Sequence, residues 1–471
     1  MDQMVKQHAA ERLGFAGHAR ALMVLGLPLI GSNLAQMGLH VTDTVMLGWY
    51  GVPELASVVL GASFFFFLFI LGSGFSYALM GRISAAMGAG NDTQVRRDAR
   101  MGLWLSLIFA ACAIPVMAVS GPILRALGQE PELAQLAQDY LRVGMWGMFP
   151  ALTIAVLKAY LSALERTQVV MWVTLWGVVL NIGGNWIFIF GHFGMPEMGV
   201  RGAALASVMV QVSTASLLML YAVREPALRH FHLLQRFWRP DWEAFVAVAR
   251  LGLPIGFTSI FEAGLFQASA LMMGWIGTVQ LAAHGIALEL ASLTFMVHMG
   301  LSNAATVRTG RAFGAGDAVR LREGALVAQG MSVVFALGTV VLFLAFPTQL
   351  IGLFLDNTNP QAAEIILFGS KLLAVAAVFQ MFDATQVMAL GLLRGVHDTR
   401  VPMLVAAAGY WLIGMPASYW LAFVRGYGGV GLWLGLVVGL ACVGLTLIVR
   451  FWRGAWLHPA PPAALPVSDM P

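Results

Sequence analysis

The chain has 471 residues, of which 59% are hydrophobic and only 11% charged, with a formal net charge of +4. A soluble chain of this length folds as about three domains, but the stretches 55–81, 101–124, 167–196, 202–223, 325–355 and 426–449 carry no charged residue. Each exceeds the roughly 20 apolar residues that a helix needs to cross about 30 Å of hydrocarbon. That excludes a soluble fold and predicts an all-α polytopic membrane protein.

Twelve spans are expected, near 21–46, 55–80, 101–123, 140–162, 169–190 and 201–223 in the first half, then 245–273, 280–305, 325–350, 364–391, 402–424 and 430–450 in the second. The charged stretch from Lys6 to Arg20 leads into a full-length span, so the first helix is expected to remain in the mature protein. The implied order is a cytoplasmic segment at 1–20, a six-helix lobe at 21–223, a linker at 224–244, a second six-helix lobe at 245–452 and a tail at 453–471. The linker carries Arg224, Arg229, Arg236, Arg239 and Pro240, while the tail is Pro- and Ala-rich and expected to be disordered.

The halves repeat each other. Gly26-Leu27-Pro28 aligns with Gly252-Leu253-Pro254, and without a gap Met46 falls on Met272, Gly74 on Gly300, Arg82 on Arg308 and Gly88-Ala89-Gly90 on Gly314-Ala315-Gly316. An internal repeat decides the architecture before anything else. With both termini and the even-numbered loops on one side, that side holds all but five (Arg125, Arg142, Arg201, Lys371, Arg425) of the 27 Lys and Arg, Lys158 included. The rich side is therefore assigned to the cytoplasm. An even number of spans per half makes the repeats parallel, a plan found among transporters.

Small residues such as Gly72-Ser73-Gly74 and Gly183-Gly184 read as helix-packing positions. Pro28 and Pro254 read first as first-turn prolines, with a helix kink as the alternative. Cys112 and Cys442 lie inside apolar runs and predict neither a disulfide nor a metal site. The glycine-rich loops after the second and eighth spans lack the Gly-Lys-Ser/Thr of a phosphate loop and read as tight turns. No nucleotide, haem or zinc motif occurs, so no cofactor is expected, and uphill movement would need an ion gradient.

Carboxylates inside hydrocarbon are costly, rare and usually functional. Four are expected there: Asp43 in the first span, Glu262 in the seventh, Glu289 in the eighth and Asp383 in the tenth. The repeat pairs Asp43 with Ser269, Glu262 with Gln36 and Glu289 with Ser63, and places Asp383 against the apolar stretch near Ala151–Ile154. The scaffold is duplicated and the acids are not, which favours ion or substrate binding over packing. Gln36, His40 and Asp43 can share one helix face, as can Asn181 and Asn185. Together they predict a hydrated polar pocket in the first half, with interhelical hydrogen-bonding glue the alternative for the asparagines. His40 is either a proton relay or a packing residue. Glu262 and Asp383 each stand alone in apolar sequence, where each serves as a proton carrier or as a charged ligand for Na+ or an organic cation. Glu289 lies near a span end or faces a cavity. Phe295 offers a cation–π face or packs in the core.

Several pieces jointly resemble the multidrug and toxic compound extrusion family, in particular its NorM-type branch. They are Gly-Leu-Pro-Leu-Ile at 26–30, Val-Thr-Asp-Thr-Val-Met at 41–46, Leu-Asn-Ile-Gly-Gly-Asn-Trp-Ile-Phe at 180–188, Phe-Glu-Ala at 261–263, Ala-Ala-His at 282–284, Ala-Ala-Thr-Val-Arg at 304–308, Gly-Leu-Leu-Arg-Gly from 391 and Asp-Thr-Arg to 400. The resemblance spans about residues 20–450. It implies a V-shaped pair of lobes around a cleft and export of amphipathic, mostly cationic compounds in exchange for H+ or Na+. It assigns ion and substrate roles to Asp43, Asn181 and Asn185 in one lobe and to Glu262 and Asp383 in the other, with Phe295 beside the cation site and Na+ held at Glu262 and Asp383. Phe379 stands where some relatives carry a tyrosine, and Glu289 where an uncharged polar residue is expected. A monomer in the bacterial inner membrane follows, with lipophilic cations and the bilayer as its partners and no nucleic acid. A lipid-intermediate flippase would need a cationic cleft, a membrane enzyme a clustered reactive set, and a passive channel would dissipate gradients without exchange.

Overall fold

The computed structural model describes residues 14–355 and 360–458. Lys6 and Arg12, most of the expected cytoplasmic segment and the tail from 459 lie outside the described residues. The apolar runs form twelve helices long enough to cross a membrane: α1 Phe15–Tyr50, α2 Pro53–Gly88, α3 Asp92–Ala118, α4 Pro131–Ala163, α5 Thr167–Phe188, α6 Gly199–Arg224, α7 Trp242–Ile276, α8 Thr278–Gly314, α9 Ala318–Ala345, α10 Ala362–Gly395, α11 Arg400–Val424 and α12 Gly428–Trp452. Among the described residues there is no strand.

Most helices outrun the apolar windows because their polar extensions leave the hydrocarbon still helical. One consequence is a correction. α1 and α7 begin at Phe15 and Trp242, so Pro28 and Pro254 lie in helix interiors and not in first turns. Each removes a backbone donor and clashes with the preceding turn, the usual cause of a kink. A second correction concerns the third and ninth spans. Both stop early, at Ala118 and Ala345, and are followed by short separate helices at Ser120–Ala126 and Pro347–Gly352.

The repeat is visible in the details. Gly90 and Gly316 adopt φ of 66° and 67°, left-handed values that a side chain would strain. Directly after them, Asn91 and Asp317 cap α3 and α9 by accepting hydrogen bonds from the Gln94 and Arg320 amides at 3.0 and 2.9 Å. Both loops are the tight turns that the sequence indicates. Asp241 caps α7 in the same way and also accepts from Arg97 Nη2 at 3.0 Å, tying α3 to α7. That guanidinium holds the Asp241 carboxyl below its ordinary range.

The lobes, α1–α6 and α7–α12, meet at the Arg-rich face. A Cβ on Gly74 would strike the backbone of Gly252 and Gly256, and one on Gly300 would strike Ile30, the pseudo-symmetric contact. At the Arg-rich ends of α2 and α8, Gly88 abuts the Arg311 carbonyl and Gly314 the Ala85 carbonyl. Arg311 also donates to the Ala163 carbonyl at 3.0 Å, across the lobes. In the halves of α1 and α7 away from this face, the polar side chains of Gln36, His40 and Gln267 remain exposed. The cleft therefore opens away from the Arg-rich face. Valine at both Gly88 and Gly314 is expected to hold the Arg-rich ends apart. Spin labels at the exposed Thr93 and Val319 should then report a longer interlobe distance, and an unchanged distance would mean that this contact does not set the closure.

Candidate functional site

The first cluster lies inside the α1–α6 lobe. Asp43 sits near the end of α1 remote from the Arg-rich face, and α5 presents two amides to it. Asn181 Nδ2 donates to Asp43 Oδ1 at 2.9 Å and Asn185 Nδ2 to the same oxygen at 2.6 Å, while Asn185 also donates to Asn181 Oδ1 at 3.3 Å. Ser207 on α6 approaches Asp43 Oδ2 at 3.5 Å. The asparagines are four residues apart, one turn of α5, which puts both on one face. They are almost fully buried, at 2% and 0% exposure, while Asp43 is half-buried. Asn185 Oδ1 is buried without a partner. The cluster thus combines a carboxylate, fixed amide donors and one free carbonyl acceptor. His40 is exposed on α1, and no hydrogen bond joins it to Asp43 among the described residues.

The second cluster lies in the α7–α12 lobe and corrects the expectation that Glu262 and Asp383 stand alone. Gln386, three residues beyond Asp383 on α10, donates through Nε2 to Glu262 Oε1 at 2.9 Å. Glu262 and Asp383 are close enough for Coulombic interaction, and both act on the phenol of Tyr410. Asp383 is 2% exposed. Its Oδ1, Gln386 Oε1 and the Tyr410 hydroxyl are all buried with no partner. Tyr410 sits in a π-helical stretch of α11, Ala408–Gly414, a local widening that often marks functional sites. Arg394 closes the cluster toward the Arg-rich face, its guanidinium 4.9 Å from the centre of the Tyr77 ring of α2. These oxygens form an oxygen-only donor set, suited to a proton or a hard cation carried as cargo. Among the described residues no three His, Cys, Asp or Glu side chains group as a metal site.

A model of the MatE family matches residues 28–187 and 254–420, one match per repeat. The chain belongs to the MatE family. It is 45% identical to a protein of Rhizobium meliloti named probable multidrug resistance protein NorM, over 95% of this chain and 96% of that one. A protein of the same name from Agrobacterium fabrum is 43% identical over 92% and 93%. Among solved structures, a MATE in complex with MaL6 superposes with a TM-score of 0.84 at 22% identity, covering 92% of this chain and 96% of the other. A multidrug resistance MATE family transporter in an outward-facing conformation gives 0.82 at 22%, covering 94% and 97%. At these identities the structures show that the fold is shared.

Within this MatE chain the remaining candidates fall outside both clusters or at their edges. Gln36 bonds elsewhere: its Oε1 accepts from Lys158 Nζ at 3.2 Å. Lys158 lies within α4, inside the expected fourth span. Glu289 lies in the interior of α8, half-buried, and Phe295 is half-buried further along the same helix. Phe379 is buried edge-on against Phe266 and Trp433 and offers no oxygen to the second cluster. Ser207, Gln386, Tyr410 and Tyr77 were not singled out by the sequence. A serine or tyrosine in an apolar helix is too common to stand out, although Gln386 shares a face with Asp383 and was within reach of the periodicity.

Proposed function

We propose that the chain is a secondary antiporter that exports amphipathic, mostly cationic compounds in exchange for H+ or Na+, with the compound drawn by carboxylates that the incoming ion neutralises. Relatives named as probable multidrug resistance proteins support the drug-export part of this reading. The observation that carries it is Asp383, a carboxyl packed near Glu262 with an oxygen left without a donor. Burying bare charge costs several kcal/mol, so such a site favours an occupant. A proton or Na+ entering from the open cleft, or a lipophilic cation, meets that need, and only one of them can do so fully. Exchange follows from this competition. One charge crossing 100 mV supplies about 2.3 kcal/mol, enough for a modest accumulation ratio. The Arg-rich face is taken as cytoplasmic, in the inner membrane of a bacterium, and the protein as acting alone.

Purified protein in liposomes loaded with a fluorescent lipophilic cation is expected to export it under an imposed pH gradient or an imposed sodium gradient. The gradient that works names the coupling ion. Retention of the dye under both would overturn the antiport reading.

A further inference from the structure

The interlobe contact at the Arg-rich face is built twice, and its two copies differ in one residue. α4 and α10 end alike. Each passes through a left-handed residue two positions after its last helical one, Glu165 with φ of 60° after Ala163 and His397 with φ of 63° after Gly395. Few side chains tolerate that conformation, asparagine, aspartate and histidine best among them. Each of the two then reaches the opposite lobe. Glu165 pairs with Arg311 of α8 at 2.8 Å, an acid on a base. His397 instead meets α2. A Cβ on Gly81 would lie 3.7 Å from its Cδ2, and the Arg82 charge acts on its ring. Where one copy pairs opposite charges, the other sets an imidazole against an arginine.

The surroundings disfavour a charge on that imidazole. Arg82 is held by Asp98 of α3 at 2.8 Å, and Gln94 donates to the same carboxylate oxygen. Asp98 thus serves Arg82. On the side of its own lobe the ring packs edge-on against Phe313 of α8, with centres 5.5 Å apart. Asp398, next in the chain, is held by Arg450 of α12 at 2.6 Å, and Arg394, one turn earlier, faces Tyr77. Among the described residues no carboxylate acts on the ring, and Nε2 is buried without a partner. Burial, and after it the Arg82 charge, push the imidazole down to about 4 from an ordinary 6.5. His397, Arg82, Asp98 and Asn91 line a cavity of about 240 Å³. Asn91 is exposed, so water from the Arg-rich side reaches this junction as the lobes part.

Parting the lobes here takes His397 away from Arg82 and Gly81 and into water, where an imidazole has its ordinary affinity for a proton. We propose that His397 is a proton site of the interlobe closure, neutral while the Arg-rich face is shut and protonated once it opens, so that acid on that side holds the lobes apart there. The sign follows from linkage. The shut form binds the proton more weakly, so the balance moves toward the open form as pH falls from about 6.5 towards about 4. Closing returns the proton to the side from which it came. His397 therefore tunes how long the protein stays open to the Arg-rich side and carries no ion across. The proposal rests on the export reading in one respect, that this face opens during exchange.

Ser84 lies on α2 inside the same contact, fully buried, and a Cβ on Gly310 would come within 2.9 Å of its Cβ. Ser84→Cys, combined with Cys112→Ser and Cys442→Ser, provides a thiol that reacts when the face opens. Its rate with dithiodipyridine, a reagent that works in mild acid, is measured in detergent with His397 and with His397→Asn, which keeps the left-handed backbone. Each protein is first checked for a single size-exclusion peak. Dividing the two rates at each pH cancels the titration of the thiol and of Asp98. The quotient is expected to rise about tenfold from about pH 8 to about pH 5.5, the shift implied by values of 6.5 open and about 4 shut. A flat quotient with a reactive thiol overturns the proton site and leaves the opening of the face intact. A thiol unreactive at every pH overturns that opening, and the export reading falls together with the site. If His397→Asn does not give a single peak, His397→Gln replaces it under the same criterion.

Discussion

Replacing Asp383 by asparagine is expected to slow gradient-driven efflux of a lipophilic cation by about 10- to 100-fold, the loss of one interaction with a charged partner worth roughly 1.5–3 kcal/mol. The substitution keeps the shape and removes the group that an ion can neutralise. Asp383 is the sharper target of the two acids because Glu262 already has the Gln386 amide, whereas Asp383 Oδ1 has no donor. Counterflow of dye between two pools of equal ion composition needs alternating access but no net coupling. It is expected to survive in Asp383→Asn, so the ratio of gradient-driven flux to counterflow is the diagnostic reading. Wild-type gradient-driven rates would remove Asp383 from the coupling machinery while leaving the fold untouched. If both modes are lost together, the residue is needed for the conformational cycle and not for ion coupling. Glu262→Gln tests the same cluster from α7, and a double variant no worse than either single one would mark the two acids as one unit.

The fold was legible because its signal is long-range and redundant: apolar runs of spanning length recur twelve times, and the two halves repeat in register. Helix ends were not, since His18 and Arg20 lie outside the apolar window but continue α1. That is why Pro28 reads as a first-turn proline and proves to be internal. The first cluster was nearly complete from spacing, as Asn181 and Asn185 lie on one face and the only intramembrane acid of that half lies on α1. Which carboxylate oxygen they share, and the approach of Ser207, depend on how α5 and α6 rotate against α1. The second cluster was half legible. Glu262 and Asp383 stood out as acids, but their proximity depends on the register of α7 against α10, which no single helix encodes. Lys158 falls inside the expected span 140–162 yet counts with the charges of the Arg-rich side. It lies so near the end of α4 that a count of positive charge by side absorbs it, although its side chain turns into the lobe.

Asp43 calls for a pair of substitutions, because it does two things at once. It satisfies two buried amides, and it offers a charge to the cavity. Asp43→Ala is expected to destabilise the lobe by about 2–6 kcal/mol, since each orphaned buried donor costs roughly 1–3 kcal/mol and Asn181 and Asn185 both lose their acceptor. Asp43→Asn keeps an acceptor in place, so its melting temperature in detergent should lie nearer to wild type. Its affinity for a lipophilic cation should still fall at least tenfold, about 1.4 kcal/mol, because the charge has gone. The two readouts separate the alternatives that the sequence left open. If the asparagines are only interhelical glue, Asp43→Asn lowers stability slightly and leaves binding as it was. If the trio is a binding site, binding falls more than stability. A cycle of Asp43→Ala with Asn185→Ala should then show strong non-additivity in stability, because the second substitution removes a donor that the first has already orphaned. Additive losses would mean that the 2.6 Å bond contributes little, and Asn185 would then owe its burial to packing against α6 and not to Asp43.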